Sequence, residues 1–132
     1  QEEHRFTYAL LPHMGRWQES NVAEEAYRLN IPVRTATVSH KGNGLPRNFL
    51  TVDGSGVMLE TVKQAEDENG IILRLYEYTN SRTPVTVSLA KPCSKVQECD
   101  LLENATGEIP TENGQFSFEI RPYEIKTFRV ID

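Results

Sequence analysis

Glu66-Asp67-Glu68-Asn69-Gly70 runs directly into Ile71-Ile72-Leu73-Arg74-Leu75-Tyr76-Glu77-Tyr78, and the change of character between the two decides the fold. A polar cluster ending in Asn-Gly supplies the positive-φ positions of a tight hairpin turn. The apolar run after it has the length and the aliphatic and aromatic content of a strand. A second such run, Val57–Lys63, precedes the cluster, so the stretch reads as a β-hairpin. Moving outward, the same rhythm predicts strands at Asn48–Val52, Val85–Ala90 and Val96–Leu102, with turns at Asp53-Gly54-Ser55-Gly56 and Asn80–Pro84. Phe116, Phe118 and Ile120 alternate with Ser117 and Glu119, and after Pro122 a last strand places Phe128 and Val130 on either side of Arg129. Short strands at such regular intervals form a sandwich or a barrel.

Toward the N-terminus the pattern changes once. A turn at Lys41-Gly42-Asn43-Gly44 and a strand at Val33–Ser39 are preceded by Pro32, which ends a short helix. Ser20 can cap that helix; Ala23, Ala26, Tyr27 and Leu29 fall at helical spacing, and Glu24 and Glu25 sit near its positive end. Before it, Phe6, Tyr8 and Leu10 share one face of Arg5–Leu10, with Thr7 and Ala9 between them, which predicts a half-buried strand that stops at Pro12. The expectation is an all-β chain: an antiparallel two-sheet β-sandwich with one short helix near the N-terminus, a single domain over residues 1–132.

Composition narrows the function. Hydrophobic residues make up 38% and charged residues 25% of the 132, and no apolar run approaches the ~20 residues of a membrane span, so no membrane partner is expected. A net charge of -5, with 14 scattered basic residues, speaks against nucleic acid. Gln1-Glu2-Glu3-His4 has neither an initiator Met nor a basic-then-apolar leader, and is read as the start of a piece excised from a longer polypeptide. Cys93 and Cys99 are too few and too close for a disulfide framework, so reduced thiols in a cytoplasm are expected. The acceptor triplet Asn104-Ala105-Thr106 is read as a chance match.

No catalytic constellation emerges. His4, His13 and His40 are far apart, without the short spacing of a metal-ligand pair, and Cys93 and Cys99 are not a C-x-x-C pair. Glu66, Asp67 and Glu68 would interest a glycosidase, which works with two carboxylates, but they read as a solvated turn. No catalytic, cofactor-binding or metal-binding residue is therefore assigned. Arg74, mid-strand, needs a carboxylate partner, for which Glu66, Asp67 and Glu77 are the candidates. Tyr76, Tyr78 and Trp17 leave open an alternative, a free-standing carbohydrate-binding β-sandwich module.

Several stretches resemble glycoside hydrolase family 38, and more closely its bacterial and cytosolic α-mannosidase branch. They are His4-Arg5-Phe6-Thr7-Tyr8-Ala9-Leu10-Leu11-Pro12-His13 with Gly15 and Trp17; Lys63-Gln64-Ala65-Glu66-Asp67 with Gly70–Glu77; Cys99-Asp100-Leu101-Leu102-Glu103; and Pro122-Tyr123-Glu124-Ile125-Lys126-Thr127-Phe128. The resemblance implies a multidomain parent that hydrolyses terminal α-mannosides with retention, using a zinc ion and an aspartate nucleophile in an N-terminal α/β domain. No segment here resembles those catalytic motifs. The chain is then expected to be a non-catalytic C-terminal domain, inactive alone and without cofactor. Its partners would be the parent's catalytic and other β domains in cis, with a loop placed near the mannoside substrate. Such a piece should expose an apolar patch, with Phe6, Tyr8 and Trp17 as its foremost contributors.

Overall fold

A computed structural model describes residues 3–37, 39 and 48–132. The chain divides into two compact units, Gln1–Ser39 and His40–Asp132. The second unit is the β-sandwich. Its strands are β1 (Leu50–Asp53), β2 (Val57–Gln64), β3 (Ile71–Glu77), β4 (Thr83–Leu89), β5 (Lys95–Cys99), β6 (Ala105–Ile109), β7 (Gln115–Ile120) and β8 (Ile125–Ile131). They form two antiparallel sheets, of order β1-β4-β7 and β2-β3-β8-β5-β6.

Alternation along the strands makes the core. Leu73 and Leu75 of β3, Val96 of β5, and Phe128 and Val130 of β8 point from the larger sheet toward Val85 and Val87 of β4 and Phe116 and Ile120 of β7. Phe128 is fully buried, its ring centroid 5.2 Å from that of Phe116 and 4.5 Å from that of Phe118. Burying one such ring is worth about 1.5–3 kcal/mol, so this aromatic trio is a large part of what holds the sheets together.

The β2–β3 hairpin turns where Asn69-Gly70 predicts. The Ala65 N–H reaches the Gly70 carbonyl at 3.0 Å, the Glu68 N–H the Ala65 carbonyl at 2.9 Å, and the Asn69 N–H the Asp67 Oδ1 at 3.1 Å. Gly70 has φ +98°, and a Cβ there would stand 2.4 Å from the Val130 carbonyl oxygen, so the turn admits glycine for conformation and for space.

The strand predicted at Val96–Leu102 ends at Cys99, because Asp100 starts a tight turn. β6 was not anticipated: Ala105–Ile109 is an edge strand, exposed except at Ile109, so it carries no apolar alternation.

In the first unit, a 3-10 turn (Trp17–Glu19) leads into helix α1 (Val22–Asn30). The expected cap is corrected by one residue: Asn21, not Ser20, occupies the cap position, while the Ser20 Oγ just before it accepts the Val22 N–H at 3.4 Å and donates to the Trp17 carbonyl at 2.9 Å. The two other expected elements are corrected. Arg5–Leu10 is not a strand, and neither are residues 33–37 of the expected Val33–Ser39. Alternation states which face a strand would bury, but a strand also needs a ladder partner, and neither segment has one among the described residues. The expected turn at Lys41–Gly44 and His40 lie outside the described residues.

Candidate functional site

On the face of the larger sheet opposite the core, β3 presents Ile72, Arg74 and Tyr76, and β8 presents Thr127 and Arg129; the register sets Arg74 beside Thr127 and Ile72 beside Arg129. Two loops close over this face, the hairpin turn 65–70 and the loop 100–104. Arg129 reaches both, with Nη1 2.6 Å from the Asp67 Oδ2 and Nη2 3.0 Å from the Glu103 carbonyl oxygen. Lys63 Nζ lies 2.9 Å from the Glu103 Oε1 and also pairs with Glu66, while the Glu66 N–H donates to the Glu103 Oε2 at 2.9 Å. Glu103 is buried and held at φ +68°.

Among the described residues Arg74 pairs with no carboxylate, which corrects the ion pair expected with Glu66, Asp67 or Glu77. Its Nε donates to the Thr127 Oγ1 and its Nη2 to the Leu101 carbonyl, both at 3.2 Å. The three candidate partners are engaged elsewhere: Glu66 by Lys63, Asp67 by Arg129, and Glu77 by backbone amides.

Loop 100–104 is further wound around one side chain. Asp100 Oδ1 accepts the Leu102 and Asn104 N–H groups at 2.9 Å each, and Oδ2 accepts the Asn104 side-chain amide at 2.9 Å. Asp and Asn favour such turns because a short carboxyl or amide reaches its own backbone two residues on. The outcome is a rigid loop that turns Leu101 (59% exposed) and Leu102 (82% exposed) into solvent. Cys99–Glu103 carries part of the family resemblance, but the sequence assigns no structural role to these leucines or to Glu103; the Asp100 and Asn104 that bracket them are the local signal for the turn.

A second staple sits at the far end of β3. The Glu77 carboxylate is buried; Oε1 accepts the Thr79 N–H at 2.6 Å and the Thr79 hydroxyl, and Oε2 accepts the N–H groups of Asn80 at 3.0 Å and Tyr123 at 2.9 Å. One anion thus ties the β3–β4 turn to the turn before β8. Asn80 and Tyr123 both hold positive φ, 65° and 56°.

The electrostatics follow from these partners. Lys63 holds Glu103 below the usual carboxylate range, Arg129 does so for Asp67, Asn104 for Asp100, and Arg121 for Glu124. Burial pushes Glu77 up, but the bonds from Thr79 and Tyr123 outweigh it, and the net shift is downward. A glycosidase's general acid needs the reverse, a carboxyl raised toward neutral pH. These carboxylates are fixed anions that hold loops.

The residues do not fit a zinc site either. Among the described residues, no group of three His, Cys, Asp or Glu side chains converges, and the clustered carboxylates already face Lys63 and Arg129. Cys93 and Cys99 are free thiols, both pushed up by burial. His4 and His13 are exposed in the first unit, His13 Nδ1 lying 3.4 Å from the Met14 carbonyl oxygen. Tyr76 and Tyr78 are half-buried, with ring centroids 6.3 Å apart and planes at 62°, an edge-on pair rather than a flat sugar platform.

Among the described residues of the first unit none is buried, and Phe6, Tyr8 and Trp17, the three residues expected to contribute to an apolar patch, are all exposed. Leu10, Leu11 and His13 line a groove of about 540 Å³ with Val22, Ala26 and Leu29 of α1. Among the described residues no helix is long and apolar enough to cross a membrane.

The chain is 31% identical to the mouse (Mus musculus) and human (Homo sapiens) proteins named alpha-mannosidase 2C1, over 97% of its own length and 13% of theirs. It is 30% identical to alpha-mannosidase G of Dictyostelium discoideum, over 97% of its length and 12% of that protein's. It therefore spans about an eighth of the curated relatives it matches. Residues 56–128, from β2 through most of β8, match the glycosyl hydrolases family 38 C-terminal beta sandwich domain. With two antiparallel sheets over that stretch, the chain belongs to the family of glycosyl hydrolase family 38 C-terminal β-sandwich domains.

Proposed function

We propose that this chain is a non-catalytic accessory domain of a zinc-dependent, retaining α-mannosidase of the cytoplasm, and that it packs against and supports the catalytic domain. The observation that carries this reading is the division of labour among its side chains. Its clustered carboxylates hold loops 65–70 and 100–104, while several large apolar side chains outside the core, among them Phe6, Tyr8, Trp17, Leu101 and Leu102, are turned outward. A monomer tolerates few such surfaces unless a partner covers them. The zinc and the nucleophile belong to the remaining seven-eighths of the polypeptide; substrate meets this domain only where a loop approaches the active site.

Turnover of a chromogenic α-mannoside by the 132-residue chain and by the longer polypeptide that contains it tests the proposal, each with added zinc. Activity is expected only in the longer protein, and Leu102→Asp, on the exposed loop, should lower that protein's thermal stability without altering the isolated chain. Turnover by the 132-residue chain alone, or binding of millimolar mannose to it seen in Tyr or Trp fluorescence, would reject the accessory role.

A further inference from the structure

The segment His4–Leu10 has the pattern of a half-buried strand but none of a strand's bonds. Phe6, Tyr8 and Leu10 are 82%, 82% and 92% exposed. Residues 4–12 make no backbone hydrogen bond among the described residues. Yet the Phe6 and Tyr8 rings already stand on one side, their centroids 6.3 Å apart and their planes tilted by 32°. That separation is close to the two-residue repeat of a strand, about 6.6 Å. A helix would scatter positions 6, 8 and 10 around its circumference, so only extended backbone gathers them on one face.

We infer that residues 4–10 add as a strand to the open edge of a β-sheet outside this chain, in the remainder of the same polypeptide. Phe6, Tyr8 and Leu10 then turn into that sheet's core. The inference rests on the reading of the chain as part of a larger protein, and names how it joins. Two demands identify the occupant. Unpaired backbone N–H and C=O groups beside a buried apolar face require partners of their own kind, which a sheet edge supplies and a helix or a sugar does not. A period-two pattern requires a surface that buries alternate residues, as a sheet does. Pro12, which has no N–H to give, ends the pairing, and Arg5, held 2.8 Å from the Glu3 carboxylate, stays on the wet face. The relatives have room for such a sheet, since about seven-eighths of their length lies outside the matched region.

Hydrogen exchange on the 132-residue chain and on the longer polypeptide decides the matter. In the short chain the amides of residues 5–10 should exchange at free-peptide rates, and in the longer protein at least about 100-fold more slowly. Tyr8→Asp should abolish that slowing in the longer protein, and Thr7→Asp, on the opposite face, should leave it. Fast exchange at 5–10 in the longer protein, with residues 71–77 slow, would overturn the inference. So would slow exchange already in the short chain, whether from pairing within it or from a second copy, detected as a dimer by sedimentation. Equal damage from Thr7→Asp and Tyr8→Asp would overturn the strand geometry. The wild-type comparison stands even if a variant fails to fold. A longer protein that protects residues 5–10 but turns over no α-mannoside would support the added strand while rejecting the enzymatic reading, and an active protein with fast exchange there would do the opposite.

Discussion

Replacing Glu77 by Gln keeps the shape of the side chain and removes the anion on which two turns depend. In the wild type Oε1 takes the Thr79 N–H and Oε2 takes those of Asn80 and Tyr123. Glutamine must set an NH₂ group against one of these pairs of donors. If it replaces Oε2, two buried N–H groups lose their acceptor and meet a donor instead; if it replaces Oε1, the Thr79 N–H is stranded and its hydroxyl must rotate to accept. A stranded buried donor costs about 1–3 kcal/mol, so the loss should be about 2–4 kcal/mol. For a unit of this size each kcal/mol corresponds to roughly 4–8 °C, giving a melting temperature lower by roughly 8–30 °C.

The pH dependence of the difference follows from linkage. The carboxyl is held below its ordinary value of 4.5 when folded, so its contribution is complete above that pH. As pH falls through the folded value, the wild type takes up its proton and loses the advantage, and the gap between wild type and Glu77→Gln should close. Urea unfolding of the 132-residue chain, followed by circular dichroism from pH 3 to 7, measures both effects. A loss under about 0.5 kcal/mol at pH 7 would show that water satisfies these amides equally well, and would refute the argument. A gap that stayed constant down to pH 3 would refute the claim that the folded carboxyl is held low.

Gly70→Ala should destabilise the sandwich by about 1–3 kcal/mol in the same unfolding assay, since the residue sits at φ +98° with the Val130 carbonyl where its methyl would be. Arg129→Lys keeps the charge but gives up the fork that reaches Asp67 and the Glu103 carbonyl together. Amide exchange of residues 100–104 should then quicken by about tenfold with global stability little changed; unchanged exchange there would mean Asp100 holds the loop alone.

Much of the sandwich could be read locally, because turn and strand preferences are properties of neighbouring residues. Glu66–Gly70 announced its turn, and the alternation of Phe116–Ile120 and of Phe128–Val130 announced strands and the face each would bury. β6 was not legible, since an exposed edge strand needs no apolar side chains. The polar network was not legible either. Arg74 was the cation noticed, surrounded by apolar residues, but the ion pair with Asp67 belongs to Arg129, 62 positions away.

By itself, then, the sequence determined where the strands of the sandwich other than β6 lie, that one helix stands near the N-terminus, and that the chain resembles an α-mannosidase family. The tertiary structure decided which charges meet. Their pairing depends on the register of β3 on β8 and on where two distant loops land, and neither quantity is encoded in any short window. It decided as well that Leu101 and Leu102 face outward, because Asp100 and Arg129 hold their loop. Arg5–Leu10 divides the two kinds of information most clearly: alternation determines which side of a strand is to be buried, while a strand exists only where another edge supplies its hydrogen bonds.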